Sequence, residues 1–185
     1  VSNSRTDLAQ VWVVDNITRN SNELAFLDES LVKEVRSVEG VEEAWGVMKY
    51  TLSAVLPVAE RYGVYIGIEP HQSFSCTTAG LLRIAGLVDS PMLRTNYDTG
   101  NAYLGGEDPY EGLKAARDRL VHLHAKDITV AHADAERGKV TGTPVGCACG
   151  DGVIDWARVI AILREVNWNG VLSVECGTPE QASRS

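Results

Sequence analysis

The chain has 185 residues, 44% hydrophobic and 23% charged, with a formal net charge of −8 and a pI near 5.0. That length suits one sizeable core at the usual ~100–200 residues per domain, and the composition is ordinary for a globular protein. The acidic balance argues against sequence-blind binding to nucleic acid, which relies on Lys and Arg patches. No run approaches the ~18 consecutive apolar residues of a membrane helix, so neither nucleic acid nor membrane is expected as a partner.

The four cysteines, Cys76, Cys147, Cys149 and Cys176, are too sparse for a disulfide scaffold. Cys147 and Cys149 lack the second pair or spaced histidine of a structural zinc site. No basic stretch leads into an apolar one, so no signal peptide is read and a cytoplasmic location is the default expectation.

In chain order, Val11-Trp-Val-Val14 reads as a short strand ending at Asp15-Asn16, and Thr18 to Glu39 as a long polar loop with some helix. From Val41 to Arg61, Ala44, Val47, Met48, Leu52, Val55, Leu56 and Ala59 recur at three- and four-residue steps, as one helix face requires. Gly63 stands where a C-terminal cap belongs. The run Val64-Tyr-Ile-Gly-Ile-Glu69 follows as a strand. Thr77 or Thr78 caps a second helix through Leu81, Leu82, Ile84, Ala85 and Val88, broken by Pro91. A strand, Leu93 to Asp98, leads into an expected loop from Gly100 to Pro109. Tyr110 to Leu120 reads as helix, Leu120-Val-His-Leu-His124 as strand, and residues 125–152 as a long loop. Asp155 or a neighbour opens the last expected helix, and Asn169-Gly170 turns into the strand Val171-Leu-Ser-Val-Glu175.

Buried parallel strands read as nearly continuous apolar runs. A charged residue at the end of such a run has left the packed layer. Four runs end this way, in Glu69, Asp98, His124 and Glu175. One glutamate at a strand end is an ordinary salt-bridge partner; four ligand-type residues at equivalent positions point to a metal site. Strand–helix alternation leaves a doubly wound sheet or a (β/α)8 barrel. A barrel gathers its strand ends on one face, whereas an open sheet spreads four of them over roughly 15 Å at about 4.8 Å per strand. The reading is therefore α/β, a (β/α)8 TIM barrel. It is present as an incomplete C-terminal portion of about five strands, a single domain over residues 1–185 that lacks its first strands and last helix.

Hard oxygen ligands with one imidazole suit Mn²⁺, Mg²⁺, Co²⁺ or Fe²⁺. His71 lies two residues past Glu69 and on the same side if the strand continues, as a substrate contact or acid/base, or else as a satisfied loop histidine. His122 shares its side with His124 and reads as a buried, hydrogen-bonded supporting residue. Lys126 is a candidate for a substrate oxygen, and Asp127 for orienting its neighbours. His132 is assigned nothing.

The motifs Ile66-Gly-Ile-Glu69, Asp98-Thr-Gly-Asn101, His122-Leu-His124-Ala-Lys-Asp127, Gly150-Asp-Gly-Val-Ile-Asp-Trp156 and Ser173-Val-Glu175 resemble the xylose isomerase-like TIM-barrel superfamily. The resemblance covers residues 41–183 and implies that Glu69, Asp98, His124 and Glu175 hold one divalent ion, Mn²⁺ first. It further implies an isomerase or epimerase that removes a proton next to a carbonyl of a sugar or keto-sugar. Glu69 and Glu175 would move protons, with His71 beside them and His71, Lys126 and Asn101 contacting substrate.

Two departures stand out. Ketohexose 3-epimerases of this type carry Glu and Arg soon after the ligand histidine, where this chain has Asp127 and Val130. Apurinic endonucleases use more histidines than the four present here.

Thr141 to Gly152 together with Glu175 to Ser183 is similar to C-glycoside deglycosidases and 3-keto-glycoside lyases. That branch implies elimination of a substituent from a keto-glycoside. The expected protein partner is a small β-sandwich subunit or, alternatively, a second copy of the chain. A non-catalytic metal- or sugar-binding barrel is the reading from another class.

Overall fold

The computed structural model describes residues 11–12, 41–71, 74–139 and 145–185. The readings of Val13 to Asn16 and of Thr18 to Glu39 fall outside the described residues. The described strands are β1 (Val11–Trp12), β2 (Ile66–Ile68), β3 (Leu93–Asp98), β4 (Leu120–Ala125) and β5 (Val171–Val174). All pair in parallel in the order β1-β2-β3-β4-β5, each beside its predecessor. A doubly wound sheet reverses its strand order at a switch point; here every crossover steps the same way, as in a barrel segment.

Helix α1 (Val41–Tyr62) buries Leu52, Leu56 and Ala59 of the expected stripe, while Val55, at the edge of that face, is exposed. It ends at Gly63, whose φ of 64° permits the left-handed turn that lets Val64 N–H reach Ala59 O at 2.9 Å. Helix α2 (Thr78–Ala85) starts at Thr77, whose side chain accepts from Gly80 N–H, and buries Leu81 and Ile84. It stops at Gly86, earlier than Pro91, because the Gly86 N–H turns back onto the carbonyls of Arg83 and Ile84.

The expected loop after Gly100 is instead partly helical. Helix α3 (Thr99–Leu104) begins directly behind β3, because Asp98 Oδ1 accepts from Asn101 N–H and Ala102 and Leu104 have a core to enter. Helix α4 (Pro109–Ala116) follows, capped by Asp108 with Pro109 in its first turn, and passes through a 3₁₀ turn (Arg117–Arg119) into β4.

The long loop expected over 125–152 contains helix α5 (Val130–Glu136), started by the Thr129 hydroxyl. Helix α6 (Trp156–Glu165) is capped by Asp155 and buries Val159, Ile162 and Leu163. Past β5 the chain forms a six-residue helix, α7 (Pro179–Arg184), with a reciprocal Thr178–Gln181 capping box. The sequence reading placed no element there.

Alternation along the strands sorts their side chains. Ile66 and Ile68, Leu93 and Tyr97, and Leu123 and Ala125 join the helices in one apolar cluster. The opposite side carries the polar positions Asn96 and Asp98 on β3 and His122 and His124 on β4. All four are buried. No helix among the described residues is long and apolar enough to cross a membrane.

Candidate metal centre

Register sets the site. Asp98 on β3 pairs with His124 on β4, so their side chains leave the sheet side by side. Glu69 follows the last residue of β2, and Glu175 the last of β5, where its N–H still bonds Ala125 O at 3.0 Å. One ligand atom from each of Glu69, Asp98, His124 and Glu175 lies within 4.8 Å of all the others.

His124 is central to the group. Its Nδ1 lies 3.2 Å from Glu69 Oε1, 3.1 Å from Glu175 Oε2 and 3.8 Å from Asp98 Oδ2. Burial alone would lower its pKa, but the carboxylates of Asp98, Glu175 and Glu69 outweigh that and raise it to about 11. Asp98 is pushed well above the carboxylate range by burial, which the nearby His124 ring only partly offsets. Burial works in the same direction on Glu175, yet the bonds from His124 and Lys126 hold it well below.

Each carboxylate is also oriented from its other side. Asp98 Oδ1 takes the Asn101 N–H at 2.8 Å, and Asn101 Nδ2 donates to Glu69 Oε1 at 3.2 Å. Lys126, almost wholly buried, donates to Glu175 Oε1 at 2.7 Å. Asn101 and Lys126 therefore each touch a carboxylate of the cluster.

Asp127 lies two residues past the end of β4. Its carboxylate accepts from the N–H groups of Ile128, Gly150, Gly152 and Ile154 and from Trp156 Nε1, tying the loop before α6 to the end of β4. His122 is buried with Nε2 2.9 Å from Ser173 Oγ, and its ring meets that of His124 edge-on at 5.4 Å. Burial first, and then the neighbouring His124, lower its pKa. His71 lies partly buried beyond Pro70, its backbone N–H on Ser75 Oγ at 3.2 Å, and is not one of the four clustered residues.

Sequence reasoning missed the partners one layer down. Asn96 sits two residues before Asp98, and its Nδ2 is 3.4 Å from His124 Nε2. Ser173 sits two residues before Glu175. The period of two that aligns the ligands would have found both.

The donor set fits a divalent cation. Three carboxylates crowd one imidazole, and Asp98 Oδ2 is buried without a hydrogen-bond partner. A buried carboxylate oxygen left so is costly, and a cation among the four ligands would satisfy it. Hard oxygens plus one nitrogen match Mn²⁺, Mg²⁺, Fe²⁺ or Co²⁺ better than thiolate-seeking zinc.

The chain is 33% identical over 132 residues to the 3-oxo-isoapionate decarboxylase of Pectobacterium atrosepticum, covering 71% of this chain and 46% of that protein. It is 28% identical over 141 residues to an inosose dehydratase of Clostridium botulinum, covering 72% and 47%. Among solved structures it is similar to a D-tagatose 3-epimerase-like protein, with a TM-score of 0.62 and 26% identity over 76% of this chain and 52% of that one. The chain thus spans about half the length of the curated relatives it matches. The family model described as xylose isomerase-like TIM barrel matches residues 22–185, and the chain belongs to that family.

Proposed function

We propose that this protein is a divalent-metal-dependent enzyme that removes a proton from the carbon next to a carbonyl of a sugar or keto-sugar. The observation that carries the reading is the convergence of Glu69, Asp98, His124 and Glu175, all four ligand atoms within 4.8 Å of one another. The relatives support it. A decarboxylase of a 3-oxo compound, a dehydratase and an epimerase-like protein bear names of reactions that can share a carbanion stabilised by an adjacent carbonyl.

The four residues would hold one ion, Mn²⁺ by preference, which when bound supplies Lewis-acid stabilisation of charge on substrate oxygens. The outer two of the set, Glu69 and Glu175, flank Asp98 and His124 and are the proton carriers. One carboxylate takes the proton as the C–H bond breaks, and the electron pair passes to the carbonyl oxygen. Return of a proton by the other carboxylate completes an isomerisation or epimerisation. His71 stands beyond Glu69 as an acid/base and substrate contact. Asn101 and Lys126 orient Glu69 and Glu175 and would contact substrate oxygens. His122 and Asp127 support them.

A second reading keeps the first step and changes the outcome. The electron pair expels a substituent from the adjacent carbon, as in a 3-keto-glycoside lyase. The name of the dehydratase favours this branch.

Incubation of the Mn²⁺-loaded protein with ketoses and 3-keto-glycosides in D₂O tests both, because either branch exchanges a carbon-bound hydrogen. Deuterium in recovered substrate or product, lost in Glu69→Gln, is the expected result. Bound metal with no exchange on any of them would leave a non-catalytic binding barrel.

A further inference from the structure

The imidazole of His124 has two faces. Nδ1 looks at three carboxylates, at 3.1, 3.2 and 3.8 Å, so Nδ1 is the atom that would ligate an ion. Nε2 looks the other way, onto the side-chain amide of Asn96 at 3.4 Å. An imidazole that ligates through Nδ1 carries its proton on Nε2, and the partner of that N–H sets the tautomer. The partner must then be an acceptor. Asn96 has one: its Oδ1, buried and without a hydrogen-bond partner while Nδ2 faces the ring. A half-turn of the amide exchanges the two atoms, which are interchangeable by shape.

Asn96 is 4% exposed, at the point where the β3–β4 register shifts between Thr95 and Asn96. On the next strand Gly67 leaves the space open; a Cβ there would stand 3.2 Å from Asn96 Cβ.

Resting on the metal-centre reading, we infer that Asn96 is the positioning residue that selects the ligating tautomer of His124. Its amide oxygen accepts the Nε2–H that an imidazole ligating through Nδ1 must keep.

Mn²⁺ alone is the probe, with free ion followed by electron paramagnetic resonance in the purified protein and its variants. Asn96→Leu, similar in size and with no acceptor, is expected to weaken Mn²⁺ binding about 10–100-fold, the usual effect of losing such a partner. Asn96→Asp, which can only accept, is expected to bind at least as tightly as wild type. A packing role would weaken both variants together, so recovery in Asp separates positioning from structure. A folded Asn96→Leu protein that binds within about twofold of wild type overturns the inference. If Asn96→Leu does not fold, a folded Asn96→Asp protein tenfold weaker than wild type does the same. Wild type that takes up no Mn²⁺ removes the metal-centre reading itself, an outcome visible without any variant.

Discussion

Lys126 Nζ donates to Glu175 Oε1 at 2.7 Å, pairing a side chain 1% exposed with one 41% exposed. The two partners therefore respond differently to loss of the other. Lys126→Met leaves a carboxylate that water can reach, while Glu175→Ala strands a buried ammonium with no counter-charge. In metal-free protein Glu175→Ala is expected to cost about 3 kcal/mol and Lys126→Met only about 1 kcal/mol. Urea unfolding of both variants measures the difference; equal costs would mean that Lys126 rehydrates and is not held as described.

The second prediction concerns pH. His124 is raised to about 11, against its burial, by the carboxylates around it, so the metal-free protein keeps that proton at neutral pH. An ion taking Nδ1 must displace it, and binding should tighten as pH rises, by about tenfold per unit for each proton released. Asp98, raised by burial, adds to the release, whereas Glu175 is held low and adds none near neutrality. Calorimetry of Mn²⁺ binding at pH 7 in two buffers of different ionisation enthalpy counts the protons. An apparent enthalpy that does not depend on the buffer would contradict the protonated His124.

The four clustered residues were legible because each ends an apolar run, and the sheet places equivalent ends together. Asp98 was legible as a member of that cluster but not as a cap, though one oxygen of the same carboxylate starts α3. Helix α5 was hidden because only Ala133 of its seven residues is buried, leaving no apolar period to read. Alternation placed Lys126 on the side of His122 and His124. Only the packing of β4 against β5 reveals that its ammonium ends on Glu175. The period of two points to Asn96 as a neighbour, but that His124 turns Nε2 rather than Nδ1 toward it depends on the orientation of the ring, which no residue pattern encodes.

Asp127 offers a test of the loop before α6. Its carboxylate receives four backbone N–H groups and Trp156 Nε1. Asp127→Ala leaves those donors without their acceptor and is expected to destabilise the protein by about 3–5 kcal/mol. Asp127→Asn faces an NH₂ toward donors whichever way it turns, and should recover only part of the loss. Hydrogen exchange at Gly150, Gly152 and Ile154 locates the effect: rates there should rise in both variants while those in β3 stay slow. Unchanged exchange at the three amides would show that the loop is held by other contacts.

Two glycines bear on Lys126 and Glu175 in ways that methyl groups should separate. A Cβ at Gly100 would stand 2.7 Å from Lys126 Cγ, part of the side-chain stem, and 3.0 Å from the Lys126 carbonyl oxygen, whereas one at Gly146 would stand 2.2 Å from the Glu175 carbonyl oxygen, a much closer clash with main chain. The stem can shift. The main chain next to a ligand can move only by taking Glu175 with it, and Gly146 also anchors the following turn through its carbonyl to Gly177 N–H at 3.1 Å. Gly100→Ala should therefore cost about 1 kcal/mol of stability and little metal affinity. Gly146→Ala should cost about 3 kcal/mol and weaken Mn²⁺ binding about tenfold or more, since the carboxylate leaves the position the other three ligands require. Melting curves with and without Mn²⁺ separate the two: the metal-induced rise in melting temperature should persist in Gly100→Ala and shrink in Gly146→Ala. A full rise in Gly146→Ala would mean that Glu175 reaches the ion from a displaced backbone.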